Sequence, residues 1–119
     1  MRWYELKNLK MSDSRQIFAD IHVPPDSPWF CGHFPGEPIL PGIAQLGMVY
    51  DAINRSVDQN LEISTISRVR FKQIIRPNDP LTIVATPQQG LSKAYVFRVM
   101  VAGEVACSGV IKVKDQPSN

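Results

Sequence analysis

Ile43-Ala44-Gln45-Leu46-Gly47-Met48-Val49-Tyr50-Asp51-Ala52-Ile53 decides how this chain must fold. Only Gln45 and Asp51 are clearly polar in this run, and Asn54 is the next polar side chain. A helix without a wet face has to be surrounded by something. Proline is tolerated in a first helical turn, so the helix is expected over residues 41–57. At 119 residues the chain supports one core and not two, so the covering must come from the flanking sequence.

Those flanks read as strands. Residues 4–11 and 16–23 form two alternating runs joined by a Ser12-Asp13-Ser14 turn. Pro24-Pro25-Asp26-Ser27-Pro28 ends the second run, because proline cannot donate to a ladder. Residues 67–75, 81–86, 94–101 and 105–113 are β-rich, divided by Pro77-Asn78-Asp79-Pro80, Gln88-Gln89-Gly90 and Ala102-Gly103-Glu104. Such short connections make an antiparallel sheet. The expected fold class is α+β: a single domain over residues 1–119, one antiparallel sheet curled around one long buried helix. A second copy is expected to cover the sheet's outer face and edges.

Composition narrows the function. A 44% hydrophobic and 20% charged chain is that of an ordinary folded domain. The formal charge of +2 is no polybasic signal, and aromatics are not interleaved for base stacking, so nucleic acid is not expected. No apolar run approaches the ~18–20 residues of a membrane span. Met1-Arg2-Trp3-Tyr4-Glu5-Leu6-Lys7 lacks the apolar core of a signal peptide, which makes the cytoplasm the expected compartment. Cys31 and Cys107 cannot make a disulfide framework, and no CxxC or histidine cluster suggests a metal or other cofactor. Cys31 reads as a small apolar filler rather than a nucleophile.

Upstream of the helix stands Gly32-His33-Phe34-Pro35-Gly36-Glu37-Pro38-Ile39-Leu40-Pro41-Gly42. It places a histidine in a proline-paved loop that feeds a helix start. Removing a proton from carbon needs a base that is neutral near pH 7 and an N–H to hold the resulting negative charge. Glu37, among the prolines, reads as solvated.

Residues 33–43 resemble the signature of the hot-dog-fold 3-hydroxyacyl-acyl carrier protein dehydratases. Arg70-Phe71-Lys72 followed by Arg76-Pro77-Asn78-Asp79-Pro80-Leu81 resembles a second strand-and-turn match to the same family. The resemblance implies dehydration of a 3-hydroxyacyl thioester to the trans-2-enoyl thioester. His33 would take the C2 proton, and the Gly42 amide, aided by the helix dipole, would meet the thioester oxygen. Phe34, Pro41, Gly47 and Phe71 would line the acyl site. The family carries its proton-donating Glu or Asp five residues after that glycine; here the position is Gly47. Asp51, about 6 Å further along the helix, is the nearest replacement for the acid. It could equally bond loop or backbone groups in place of the family's glutamine. Gln45 is expected to serve structure.

Arg68, Arg70, Lys72 and Arg76 share parity, which on a regular strand gives one basic face. With the resemblance, that face is expected to dock acidic acyl carrier protein; as an ordinary solvated face it would need no partner. Two alternatives to the lyase stand beside it. One is a non-catalytic acyl-binding protein or partner subunit in a heteromer with an acid-bearing paralogue. The other is an acyl thioesterase. A homodimer or a trimer of dimers is expected.

Overall fold

The computed structural model describes residues 3–30, 38–57, 60–90 and 93–117, and its elements follow the expected order. Strands β1 (Glu5–Met11) and β2 (Ile17–His22) lead through a short 3-10 turn at Pro28–Phe30 to helix α1 (Gly42–Val57). Strands β3 (Leu61–Phe71), β4 (Leu81–Pro87), β5 (Ala94–Val101) and β6 (Glu104–Asp115) follow. All pairings are antiparallel, in the spatial order β1-β2-β4-β5-β6-β3.

Turn chemistry fixes the register. Ser12 closes the β1–β2 connection: its amide donates to the Gln16 carbonyl (2.9 Å) and its Oγ accepts from the Gln16 amide (3.1 Å). Ala102 and Gly103 both take positive φ (50° and 84°), the two-residue hairpin whose twist matches its strands, and Val101 pairs with Glu104 across it. Alternation then turns one face of each strand inward. Ile17, Ala19 and Ile21 of β2, Leu81, Ile83 and Ala85 of β4, and Tyr95, Phe97 and Val99 of β5 are buried beneath the helix. The Phe97 ring lies over Gly109 on the paired strand, where a Cβ would come within 2.8 Å of it.

Two expectations need correction. The helix is not buried all round. Ala44, Gln45, Met48, Val49, Ala52 and Ile53 face the sheet and are buried, whereas Ile43 is 76% exposed and Gly47 is exposed. A single sheet can cover only one side of a helical cylinder. That geometry hides the polar Gln45, with its Oε1 unpartnered among the described residues, and leaves Ile43 outside.

The second correction concerns β3, which runs from Leu61 rather than residue 67 and ends at Phe71 rather than residue 75. Past Phe71, the Lys72 and Gln73 amides both turn to the Ala106 carbonyl (2.7 and 3.3 Å), and the Ile75 carbonyl receives the Leu40 amide (2.8 Å). A bulge between Ser67 and Arg70, with Arg68 at φ 55°, puts one extra residue into β3 there. Because β3 ends at Phe71, a single basic stripe through all four residues is absent, although Arg68, Arg70, Lys72 and Arg76 are all exposed. Arg68 and Arg70 line a shallow groove with Gln88, Val96 and Ser108 on the sheet face turned away from the helix. Lys72 lies beyond the strand, and Arg76 starts a turn in which its amide donates to Asp79 Oδ2 (2.8 Å).

Candidate active site

Pro41 has no amide hydrogen to leave unpaired, and its carbonyl begins the helix by accepting the amides of Ala44 (3.1 Å) and Gln45 (3.3 Å). The Gly42 and Ile43 amides, at the first two helical positions, therefore have no acceptor inside the helix. Both point out of its positive end. At Gly42 the Phe71 ring packs onto the bare backbone: a Cβ there would sit 2.6 Å from Cζ of Phe71, so a side chain would push the ring aside. The sequence places Phe71 at the end of β3 with its ring 53% exposed, so an amide donor and an accessible aromatic face meet at the helix start. Ile43 and Ile74, both exposed, extend this apolar surface.

His33 and Phe34 fall in residues 31–37, outside the described residues, as do Cys31 and Glu37. The chain is fixed on either side of them. Upstream, Ser27 is fully buried, its carbonyl accepts the Phe30 amide (3.0 Å) and its Oγ the Trp29 amide (3.3 Å). Downstream, Leu40 is 2% exposed and bonded to Ile75.

Gly47 stands on the helix face turned away from the sheet, and no atom lies within 4 Å of where its Cβ would be. Asp51, one turn further, is engaged. Its Oδ2 accepts the Tyr4 hydroxyl and its Oδ1 accepts Nε of Arg55 (3.0 Å). Both oxygens are therefore engaged by partners within the chain. Burial first, then the hydrogen bond to Asp51 and that group's charge, push the Tyr4 hydroxyl well above its ordinary value. The Tyr4 ring in turn stacks on Trp29, with centroids 5.3 Å apart and planes 15° from parallel. Trp3 meets the same indole edge-on at 5.5 Å. Sequence reading missed Tyr4 and Trp29: 47 residues separate Tyr4 from Asp51, and no local pattern joins them.

Cys107 is buried on β6, and burial pushes its thiol up to about 11, which leaves no thiolate nucleophile near neutrality. No metal-binding cluster occurs among the described residues, and no helix among them is long and apolar enough to cross a membrane.

The geometry agrees with what known proteins share with this chain. Residues 9–110 match the family model described as ApeI-like, ApeI dehydratase. The 3-hydroxyacyl-[acyl-carrier-protein] dehydratase FabZ of Rickettsia africae is 32% identical over 108 residues, covering 82% of this chain and 74% of that protein. An uncharacterised protein from Erwinia carotovora subsp. atroseptica superposes with a TM-score of 0.76 at 30% identity, over 93% of each chain. The ApeI:P dehydratase heterocomplex of Xenorhabdus doucetiae has the same fold, with a TM-score of 0.80 at 24% identity, over 92% of this chain and 96% of that one. With one helix on a six-stranded antiparallel sheet and the family's sequence along most of its length, the chain belongs to the ApeI-like dehydratases of the hot-dog fold.

Proposed function

We propose that this protein dehydrates a 3-hydroxyacyl thioester carried on acyl carrier protein to the trans-2-enoyl thioester, in the cytoplasm, as a step of fatty-acid or related lipid or polyene synthesis. The observation that carries the reading is the Gly42 amide at the positive end of α1, beside the Phe71 ring and nine residues after His33 in the sequence. His33 takes the C2 proton as a neutral imidazole. The carbonyl oxygen gains charge as the proton leaves, and the Gly42 amide at the positive helix end stabilises it. Pro41 fixes the direction of that amide, while Phe34 and Phe71 flank the acyl chain and the open surface over Gly47 leaves room for it. Arg68 and Arg70 attract the acidic carrier protein, with Lys72 and Arg76 further along. No cofactor takes part.

The acid for the C3 hydroxyl comes from outside the described constellation, because Gly47 carries no side chain and Asp51 is bonded to Tyr4 and Arg55. Water or a carboxylate from a second chain fills that role. The open space at Gly47 favours the second chain, so a partner subunit to an acid-bearing paralogue is the second reading. The structure named as a dehydratase heterocomplex is a precedent for such pairing in this fold. Exposed Ile43, Ile63, Phe71 and Ile74, beside the unpaired edge of β3, support a dimer with either a like or an unlike partner.

The test is enoyl absorbance from a 3-hydroxyacyl thioester on carrier protein. The wild-type chain, alone or mixed with an acid-bearing partner, develops it, and His33→Ala abolishes it. Equal rates from the two proteins would end the lyase reading. Release of free thiol instead would make the chain a thioesterase.

A further inference from the structure

Asp51, Tyr4 and Trp29 remain after the proposed chemistry has been assigned. They form one continuous contact: carboxylate to phenol, phenol ring to indole. The three come from different parts of the chain. Asp51 lies in the second half of α1, Tyr4 just before β1, and Trp29 in the 3-10 turn four residues before His33. Arg55 holds the far oxygen of Asp51 (3.0 Å), which fixes the carboxylate plane. Asp51 is only 24% exposed, so the hydrogen bond from Tyr4 is partly shielded from competing water.

From this geometry we infer that Tyr4 and Asp51 are positioning residues. They clamp Trp29 to the helix and so set the point from which the chain enters the His33 segment. The inference rests on the dehydratase reading for the role of His33, and on the described contacts for the clamp itself.

A clamp is useful here because the other end of the segment is already fixed. Leu40 is buried and tied to Ile75, and Pro41 leads directly into the helix that carries the Gly42 amide. His33 must reach a substrate carbon whose carbonyl is held by Gly42. That requires both ends of the connecting segment to be referred to one rigid body. Helix α1 is that body: Gly42 is its first residue, and Asp51 lies nine residues along it. Small errors in placing a reacting group cost large factors in rate.

The clamp makes a prediction that a merely stabilising contact does not. Tyr4→Phe keeps the stacked ring and removes the hydroxyl, and Asp51→Asn keeps the shape and removes the charge. Each is expected to lower kcat roughly tenfold to hundredfold with KM within about twofold. The double variant should fall no further than the worse single one, because both break the same link. A second measurement does not depend on turnover. In NMR spectra the ring C–H signals of His33 should shift in both variants. Those of His22, which pairs with Glu5, the residue next to Tyr4, should stay in place.

Four results would overturn the clamp. They are unmoved His33 signals, His22 signals that move as much, additive losses in the double variant, and a Tyr4→Phe loss as complete as that of His33→Ala. The last would make Tyr4 the missing proton donor. A chain that shows no dehydration but shifts His33 alone would keep the clamp and lose the dehydratase reading.

Discussion

The two halves of α1 are built on opposite terms. From Tyr50 onward three polar side chains tie the helix to the rest of the chain, while the buried Ser56 Oγ has no partner among the described residues. The Tyr50 hydroxyl donates to the Leu61 carbonyl (2.5 Å), Asn54 Oδ1 accepts the Leu61 amide (3.0 Å), and Asp51 holds Tyr4 and Arg55. From Gly42 to Gly47 the outward surface is apolar and open: Ile43 is 76% exposed and nothing approaches Gly47. One half is finished within a single chain, and the other half, which bears the candidate oxyanion donor, is not. The difference teaches where the protein expects company. The second half is bonded to the rest of the chain, and the proposed recognition and chemistry fall on the open side of the first.

Two isoleucines ten residues apart on the helix give the largest test of that contrast. Ile53 is fully buried, and Ile53→Ala should cost about 2–5 kcal/mol in denaturant unfolding, the usual range for emptying a packed site. Ile43→Ala should leave the unfolding of a dilute, monomeric sample nearly unchanged. Its effect should appear in analytical ultracentrifugation, as weaker association. Similar losses from the two variants in a dilute sample would show that the first half is packed within the chain after all.

The hydrogen bonds around Leu61 give the next effect down. Tyr50→Phe and Asn54→Ala each remove one bond between the helix and the first residue of β3, and each should cost about 1 kcal/mol by denaturant unfolding. Because both bonds meet at Leu61, the double variant should lose less than the sum. Strict additivity would mean that the helix end and the strand are not held as one unit.

Much of this was legible in the residues. The apolar run at 43–53 called for a wrapping sheet, and proline and glycine clusters marked its turns closely enough to give the order of elements. The match of residues 33–43 identified the family. What could not be read was any feature set by contact across long separation. The helix's exposed side depends on how far one sheet can curl. The start of β3 at Leu61 was missed because the alternation of residues 61–64 breaks at Thr65, where the pairing register also shifts. The end of β3 at Phe71 undid a parity argument that needed the strand to continue through Lys72 to Arg76. Asp51 found partners in Tyr4 and Arg55, of which only Arg55 is a sequence neighbour.

Gly47 yields the smallest effect, with the opposite sign. Glycine in a helix interior is destabilising by roughly 0.5–1 kcal/mol relative to alanine, because the unfolded chain has more freedom to lose. Nothing lies within 4 Å of the Cβ that alanine would add, so no steric term offsets that gain. Gly47→Ala should therefore raise the stability of a dilute sample by up to about 1 kcal/mol, a few degrees in Tm for a domain of this size. The same methyl tells whether the open half of α1 is covered in the assembled protein. A gain that persists at concentrations where the chain associates would mean that the space over Gly47 stays empty there. A gain that turns into a loss on association would mean that a second chain approaches that backbone too closely for a side chain. In that case Gly47→Glu would be excluded on steric grounds. Turnover gained by Gly47→Glu in the first case would show that the missing acid, and not the pocket, limits the single chain.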